Sequence, residues 1–595
     1  MISNYLQNMP KQEYPRPQFV RENWINLNGK WSYEFDFGKS GLERQLNTST
    51  GFQQFINVPF CPESKLSGVE HTDFIEQMFY HRTLDIPASW GGKLILLHFG
   101  AVYYECEGFI NGIRVGRHFG GSASFEFDIT EFVKAGESYN FVLLVKSSLR
   151  DGTQPAGKQS LVYESKGCSY TRATGIWQTV WLEAVSAEGL KQCKMTPDLD
   201  NESFVFEPSF YKEIQHRVMT VNIYANKDLV GTKTVIGQTG VAFTVKLDAV
   251  KTWSPEAPFL YDIKYEIKDG QGVVLDTVES YGGLRKIHIE GNRIFLNNRP
   301  IFLRFVLNQG YYEDGIWTAP TDDILKRDIT MAMEVGFNGA RLHQKVFEPR
   351  FHYWADKLGF LTWGESASWG PAFWDRSAKM ESPEYWKSVF NFEHEWRDIL
   401  NRDYNAPSII AWSPLNETRI KDNIDDYRNI LHDIYALTKR LDPTRACNET
   451  SGYEHMKTDL WTVHVYRSTA KELKEALFPK EGGVFKVNKL EEGYCNQPYI
   501  NDEFGGFSYI VPERRKFSEK AWGYYNLKLK EINDLYEILN EEVKAMEELP
   551  GLAGFCYTQL TDVEQEQNGL YNYDRTPKGD SKKFHEIFSG PLYLE

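Results

Sequence analysis

The sequence predicts a multidomain chain: a β-sandwich jelly roll, an immunoglobulin-like β-sandwich and a (β/α)8 TIM barrel, at residues 1–185, 186–285 and 286–595. Three observations predict it. The chain has 595 residues, too many for one hydrophobic core. Its first half shows short β-rich runs broken by turn residues, with no long helical period. From about residue 286, short apolar runs alternate with helical segments, which points to a parallel sheet.

In the first region the runs are "KWSYEFDF", "KLILLHFG", "YNFVLLVK" and "TVWLEAV", with turn chemistry at Asn111-Gly112 and Gly120-Gly121. An antiparallel sandwich or jelly roll follows. In the second region "RVMTVNIYA", "VAFTVKL" and "YDIKYEI" alternate partly, and Asp269-Gly270 marks a hairpin. About 100 such residues fit an immunoglobulin-like sandwich, without that fold's Cys…Trp…Cys pattern. The third region holds eight runs: "IFLRFVL", "FNGARLH", "GFLTWGE", "SIIAWSPLNE", "RACNETS", "DLWTVHVY", "PYINDEFG" and "LAGFCYTQ". One intervening helix can be capped by Thr321, carries Leu325, Ile329 and Ala332 on one face, and ends at Gly336. Another opens at Ser382-Pro383 and carries an apolar stripe of Val389, Phe392, Trp396 and Ile399.

The formal charge of −15 argues against a broad nucleic-acid or anionic-membrane surface. Aromatics make up 15%, which suits β-rich cores better than it signals sugar binding. The seven cysteines are scattered singly, so neither a zinc site nor a disulfide framework is expected. The N-terminus shows no secretory h-region and no run is long enough to span a bilayer, so a cytoplasmic location is expected. That weakens the N-glycosylation reading of two identical tripeptides, Asn416-Glu417-Thr418 and Asn448-Glu449-Thr450.

Barrel active sites lie at the C-terminal ends of the strands, which filters the 82 acidic residues. Acids at such ends are Glu365 after run three, Glu417 after run four, Glu449 in run five, and Asp502-Glu503 after run seven. Two facing carboxylates are the machinery of glycoside hydrolysis: a protonated one donates to the leaving oxygen, an ionised one attacks the anomeric carbon or activates water. The Glu417/Glu503 pair is read as chemical. Glu449, with no opposing acid, is read as structural or supporting.

These residues resemble glycoside hydrolase family 2, the family of β-galactosidases, β-glucuronidases and β-mannosidases. "LNGKWSYEFD", "FINGIRVGRHFGGSASFEFDIT" and "TGIWQTVWLE" resemble its sugar-binding jelly roll. "TWSPEAPFLY" and "YGGLRKIHIEGNRIFLNNRPIFLR" resemble its sandwich and barrel entry. "GFNGARLHQKVFEPRFHYWADKLGFLTWGE" is close to its second-to-third strand signature. "AWSPLNET" matches the acid/base motif, and "YINDEFGG" the nucleophile motif.

The resemblance implies a retaining exo-glycosidase with Glu503 as nucleophile and Glu417 as acid/base, the latter with a raised pKa. It places Asn416 on the sugar's 2-hydroxyl, Arg341 on the nucleophile, and Tyr466 in an orienting role with His464 nearby. Tyr557 and Gln559 in run eight are as readily sugar contacts as core. Departures bear on the substrate. Asn308 and Gln309 stand where β-galactosidases carry charged and basic groups, and the spacing from Arg341 to His343 is one residue short. The Asn-x-Lys element of β-glucuronidases is missing, and Asp562, Glu564 and Glu566 would repel a uronate unless paired elsewhere. A neutral, β-galactoside-like sugar is therefore expected. A furanoside, arabinopyranoside or glucuronide, or a catalytically silent carbohydrate-binding protein, are the alternatives. No cofactor or metal is required by the sequence. The expected partner is a carbohydrate, with no nucleic acid or membrane. The family admits homo-oligomers, but no residue pattern marks one.

Overall fold

The computed structural model describes residues 9–373, 382–419, 424–479, 483–487, 491, 493–517, 521–526 and 528–594. The first region is an antiparallel sandwich. A four-stranded sheet orders Trp24–Asn26, Val180–Val185, Leu94–Phe99 and Phe125–Asp128. A six-stranded sheet centres on Gln77–Asp85 and Ser138–Lys146. Alternation along the latter strand sends Phe141, Leu143 and Val145 to the inter-sheet core. Val142 and Leu144 face the opposite side, packed with Phe79 and Phe109. Asn111 and Gly112 turn the hairpin Glu105–Ile110 to Ile113–Phe119, both left-handed at φ 48° and 82°.

The second region is also antiparallel, three strands on four. Val218–Ala225 shows strict alternation of partly exposed and buried positions, the mark of a sheet with one face on a core. The predicted Asp269 turn forms: its Oδ1 accepts the amides of Gln271 at 2.8 Å and Val273 at 2.9 Å.

All eight predicted runs form strands of one curled parallel sheet. They are β1 Leu303–Asn308, β2 Gly339–Leu342, β3 Leu361–Glu365, β4 Ile409–Ser413, β5 Ala446–Cys447, β6 Trp461–His464, β7 Tyr499–Gly505 and β8 Leu552–Thr558. The ladder runs β5-β4-β3-β2-β1-β8-β7-β6. Across the β5–β6 seam, Asp459 N donates to Cys447 O at 2.9 Å and Asn448 Nδ2 to Thr462 Oγ1 at 3.1 Å. The predicted helices are α1 Asp322–Glu334, capped by Thr321, and α3 Pro383–Asp403, capped by Ser382. Between them α2 spans Pro349–Leu358. After β4, β6, β7 and β8 come α4 Ile424–Leu441, α5 Ala470–Leu477, α6 Ile532–Glu547 and α7 Ser581–Phe588. The βα alternation is broken once: β5 and β6 are joined by 448–460, which holds the short strand Thr450–Ser451 and no helix.

The three regions interlock. Tyr103 and Trp177 of the first sandwich pack in one apolar cluster with Tyr311, Trp317 and Val563 of the barrel. Arg21 bridges Glu183 of the first sandwich at 3.4 Å and Asp276 of the second at 2.8 Å.

Candidate active site

Strand ends bring the predicted carboxylates together. Glu417 stands just past β4, at φ 51°, and its amide donates to Ser451 O at 3.0 Å. Leu415 and Asn416 pair in parallel with Thr450 and Ser451. The second tripeptide thus props the first. Glu449 itself is spent on its own loop, where Oε1 accepts Met456 N at 2.7 Å and Lys457 N at 3.1 Å. His455 Nδ1 lies 3.2 Å from its Oε2.

On β7 the register slips between the Val463–Asn501 and His464–Glu503 pairs, and again between Asn501 and Phe504. A β-bulge of this kind lets two successive residues face the same side. Glu503 and Asp502 both reach Arg341, while Phe504 packs outward among the helices.

Arg341 is fully buried and works as a hub. Its Nη1 donates to Glu503 Oε1 at 3.0 Å, its Nε to Glu365 Oε2 at 2.7 Å, and its Nη2 to Asn416 Oδ1 at 2.6 Å. Nη2 also donates to His343 Nδ1 at 3.0 Å, so His343 presents its Nε2 toward Glu503, 3.9 Å away. Burial, with the charges of Lys158 and Arg341, holds His343 well below the usual histidine range, hence neutral. Tyr466 donates to the other Glu503 oxygen at 2.7 Å and stacks on Tyr524 at 3.8 Å. His464 Nδ1 lies 2.9 Å from Glu417 Oε1, and its Nε2 lies 3.4 Å from Glu503 Oε1. Gly452 makes room for that ring: a Cβ there would overlap His464.

Burial pushes the Glu503 carboxyl up, but the charges of His464 and Arg341 outweigh it and hold it below the usual carboxylate range. Glu417 is also held low. Burial raises it, and the hydrogen bond and charge of His464, with Lys158 and Arg341, win. The expectation of a raised Glu417 is therefore corrected for the unliganded site. The reason is local: the carboxylates around His464, Glu503 first, raise its pKa against burial, so the proton of the Glu417–His464 pair rests on the imidazole. One donor atom from each of Glu417, His464 and Glu503 lies within 4.8 Å of the others. Both Glu503 oxygens and His464 Nδ1 are already engaged, an arrangement suited to moving a proton.

Other expectations need correction. Tyr557 is fully buried; its ring packs on Phe504 and Phe588 and its hydroxyl donates to Asn568 O at 3.0 Å. Strand parity explains this, because Thr558 next to it faces the site and reaches Tyr466 at 3.0 Å. Asn308 folds back to accept Gly310 N at 2.9 Å. Gln309 Nε2 donates to Gln559 Oε1 at 2.8 Å, and Gln559 Nε2 to Asn568 Oδ1 at 2.9 Å, so this pair braces the β8 loop. The acids after β8 are paired: Asp562 with Lys578 at 2.6 Å, Glu564 with the Thr171 amide at 3.0 Å, Glu566 with Tyr170 and with Asn568 at 3.2 Å. Their repulsion of a uronate is correspondingly reduced. Residues that the sequence did not single out are Lys158, Trp369 and Tyr524, all on loops without a strand-end signal; Trp369 Nε1 donates to Asn416 O at 3.2 Å.

Comparison with known proteins gives three family-model matches. They are described as the TIM barrel domain of glycosyl hydrolases family 2, at residues 287–590, the family's sugar binding domain, at 26–186, and glycosyl hydrolases family 2, at 191–285. A β-glucuronidase of Paenibacillus borealis is 24% identical over 73% of this chain and 73% of its own. A β-galactosidase of Thermoanaerobacter pseudethanolicus is 24% identical over 73% of this chain and 56% of its own, longer, length. The crystal structure of Ruminococcus gnavus β-glucuronidase superimposes with a TM-score of 0.79 at 21% identity, covering 98% of this chain and 100% of that one. Among the described residues no helix is long and apolar enough to cross a membrane.

Proposed function

The chain belongs to glycosyl hydrolases family 2 and is a glycosidase acting on a carbohydrate, and from that premise we propose a retaining, exo-acting enzyme with Glu503 as nucleophile and Glu417 as acid/base. The observation that carries the reading is the spacing: contact atoms of the two carboxylates lie within 4.8 Å. Retaining enzymes hold their carboxyl groups about 5–5.5 Å apart, whereas inverting ones leave about 6.5–9.5 Å for a water.

In the first step Glu503 attacks the anomeric carbon. The glycosidic bond breaks as Glu417 gives its proton to the leaving oxygen, and a glycosyl ester forms on Glu503. The proton reaches Glu417 across its 2.9 Å contact with His464. In the second step Glu417 takes a proton from water, which attacks the same carbon and frees Glu503. Forming the ester removes the negative charge that most favours protonated His464, so the pair is poised to act as base in that step. Arg341 and Tyr466 keep Glu503 ionised and aimed. Asn416, held through Arg341, meets the 2-hydroxyl.

The preferred glycone is a neutral, β-galactoside-like sugar, because five carboxylates (Glu365, Glu417, Asp502, Glu503 and Glu566) share the mouth with Arg341 and Lys158. A glucuronide is the second reading. It is favoured by the pairing of Asp562, Glu564 and Glu566 and by the names of several relatives. The test is a panel of aryl glycosides differing in sugar and anomer. Glu503→Gln should abolish turnover. Glu417→Ala should slow aglycone release by about 10²–10⁴-fold for poor leaving groups and least for activated ones. Undiminished turnover in both variants overturns the assignment.

A further inference from the structure

Lys158 belongs to the first sandwich, yet it sits in the barrel mouth. Its loop is fixed there by backbone bonds: Ala156 N donates to Trp369 O at 2.6 Å and Gly157 N to the same oxygen at 3.2 Å. Gly157 is left-handed, at φ +58°, and a Cβ on it would fall 2.5 Å from Gln344 O just past β2. Only glycine lets the sandwich backbone press so closely on the barrel. Tyr170 N closes the loop onto Lys158 O at 2.7 Å.

The side chain is only 6% exposed. Its Nζ lies 4.0 Å from the centre of the Trp369 ring, and among the described residues it finds no hydrogen-bond acceptor. An ammonium at the site with no protein acceptor is left to water or to an acceptor on a ligand. Its charge acts on Glu417, His343 and Glu566, so it faces the carboxylates of the site from the side of the β2, β3 and β8 loops. Glu566, its acidic neighbour, is rigidly held. Tyr170 donates to one of its oxygens and Asn568 to the other, and Asn568 is braced in turn by Gln559 and Gln309.

We propose that Lys158 is a glycone-binding residue contributed in trans-domain fashion by the first sandwich, donating from Nζ to a ring hydroxyl that in turn donates to Glu566. This rests on the glycosidase reading above and deepens it. A hydroxyl meets both neighbours, accepting from the ammonium and donating to the carboxylate. A sugar carboxylate would meet one ammonium against Glu566, Glu503 and Glu417 and is disfavoured there.

The experiment crosses enzyme with substrate. Wild type, Lys158→Met and Lys158→Arg are compared on the best aryl glycoside from the panel, on its monodeoxy analogues, and on the aryl glucuronide, with thermal melting of each protein. Lys158→Met should lose about 10- to 100-fold in kcat/KM on the parent sugar, as for a hydrogen bond to a charged group. It should lose little further on the one deoxy analogue that lacks the contacted hydroxyl, and Lys158→Arg should restore part of the loss. The same cycle is read by calorimetric binding in a Glu503→Gln background. If wild type turns over no glycoside but the binding cycle shows the coupling, the glycosidase reading fails and the Lys158 assignment stands. Equal losses on every deoxy analogue, no loss at all, or a loss confined to the glucuronide overturn the assignment. Absence of saturable binding by every sugar overturns both.

Discussion

At the scale of single residues, the site is organised around His464 as much as around its two glutamates. It touches Glu417 through Nδ1 and faces Glu503, Asp502 and Ser451 through Nε2, so it links the proposed proton donor to the proposed nucleophile. The pH dependence follows from the signs. Glu503 is held below its ordinary 4.5, so it stays ionised, as the proposed nucleophile must be, down to acid pH. The Glu417–His464 pair titrates as a unit and needs one proton. Against burial, the facing carboxylates lift His464 above its ordinary 6.5, so the shared proton is lost only above that value and activity falls there. His464→Gln removes the imidazole, leaving Glu417 alone to hold the proton. The basic arm of the kcat/KM profile should therefore move to lower pH, with the acid arm little changed; a profile with an unmoved basic arm contradicts the pairing. Much of this site could be read from sequence, because strand ends of a barrel are positions that a pattern of apolar runs can find: Glu417, Glu503, Arg341, His464 and Tyr466 all converge. Lys158 could not be, since nothing local distinguishes it within "QPAGKQSLVY" from any loop lysine. Tyr557 was unreadable for another reason: one residue of register decides whether a side chain meets the mouth or the helices.

At the scale of elements, the eight barrel strands announce themselves as short apolar runs, and the caps at Thr321 and Ser382 fix where α1 and α3 begin. The β5–β6 link has no such signature. It is a helix-free segment held by polar bonds, and the repeated tripeptide belongs to it. Glu449 is its centre, fully buried and accepting two backbone amides, beside His455, whose pKa it raises against burial. Thr450 and Ser451 then pair with the segment that carries Glu417. The second copy of the tripeptide is thus a brace for the first. Glu449→Gln keeps the shape and removes the charge behind these bonds, so it should cost about 1–3 kcal/mol of stability, seen as a lower melting temperature. Its dependence of rate on leaving-group acidity should match wild type. A steeper dependence, like that expected of Glu417→Ala, would make Glu449 a proton donor and reverse the reading.

At the scale of the whole molecule, buried carboxyls of two kinds contribute opposite dependences of stability on pH. Asp403 and Asp442 are pushed up by burial but brought down to about 2 by Arg402 with His352 and by Arg445 with Thr444, respectively. A depressed carboxyl contributes stability that is complete above its unfolded value, near 3.8, and is lost as pH falls toward 2. Glu63 and Glu395 are the reverse. Each is buried with one oxygen, Glu63 Oε1 and Glu395 Oε2, that has no hydrogen-bond partner among the described residues, and burial raises both to about 7. Such a group favours the folded state fully below its unfolded value, near 4.5, and that advantage drains away as pH rises through 7. Both sit where regions meet. Glu63 Oε2 accepts the Thr174 amide beside the cluster shared with the barrel, and Glu395, on α3, has its pKa lowered by hydrogen bonds from Ser122 and Gly121 of the first sandwich. The contribution of these four carboxyls is therefore greatest between about pH 4 and 5, falling on the acid side by about 2 kcal/mol for each depressed aspartate and on the neutral side by about 3 kcal/mol for each raised glutamate. Glu63→Gln and Glu395→Gln, which need not ionise, should flatten the neutral side and leave the acid side in place. A dependence of melting temperature on pH between 5 and 7 that is the same in the wild type and in both variants contradicts this account.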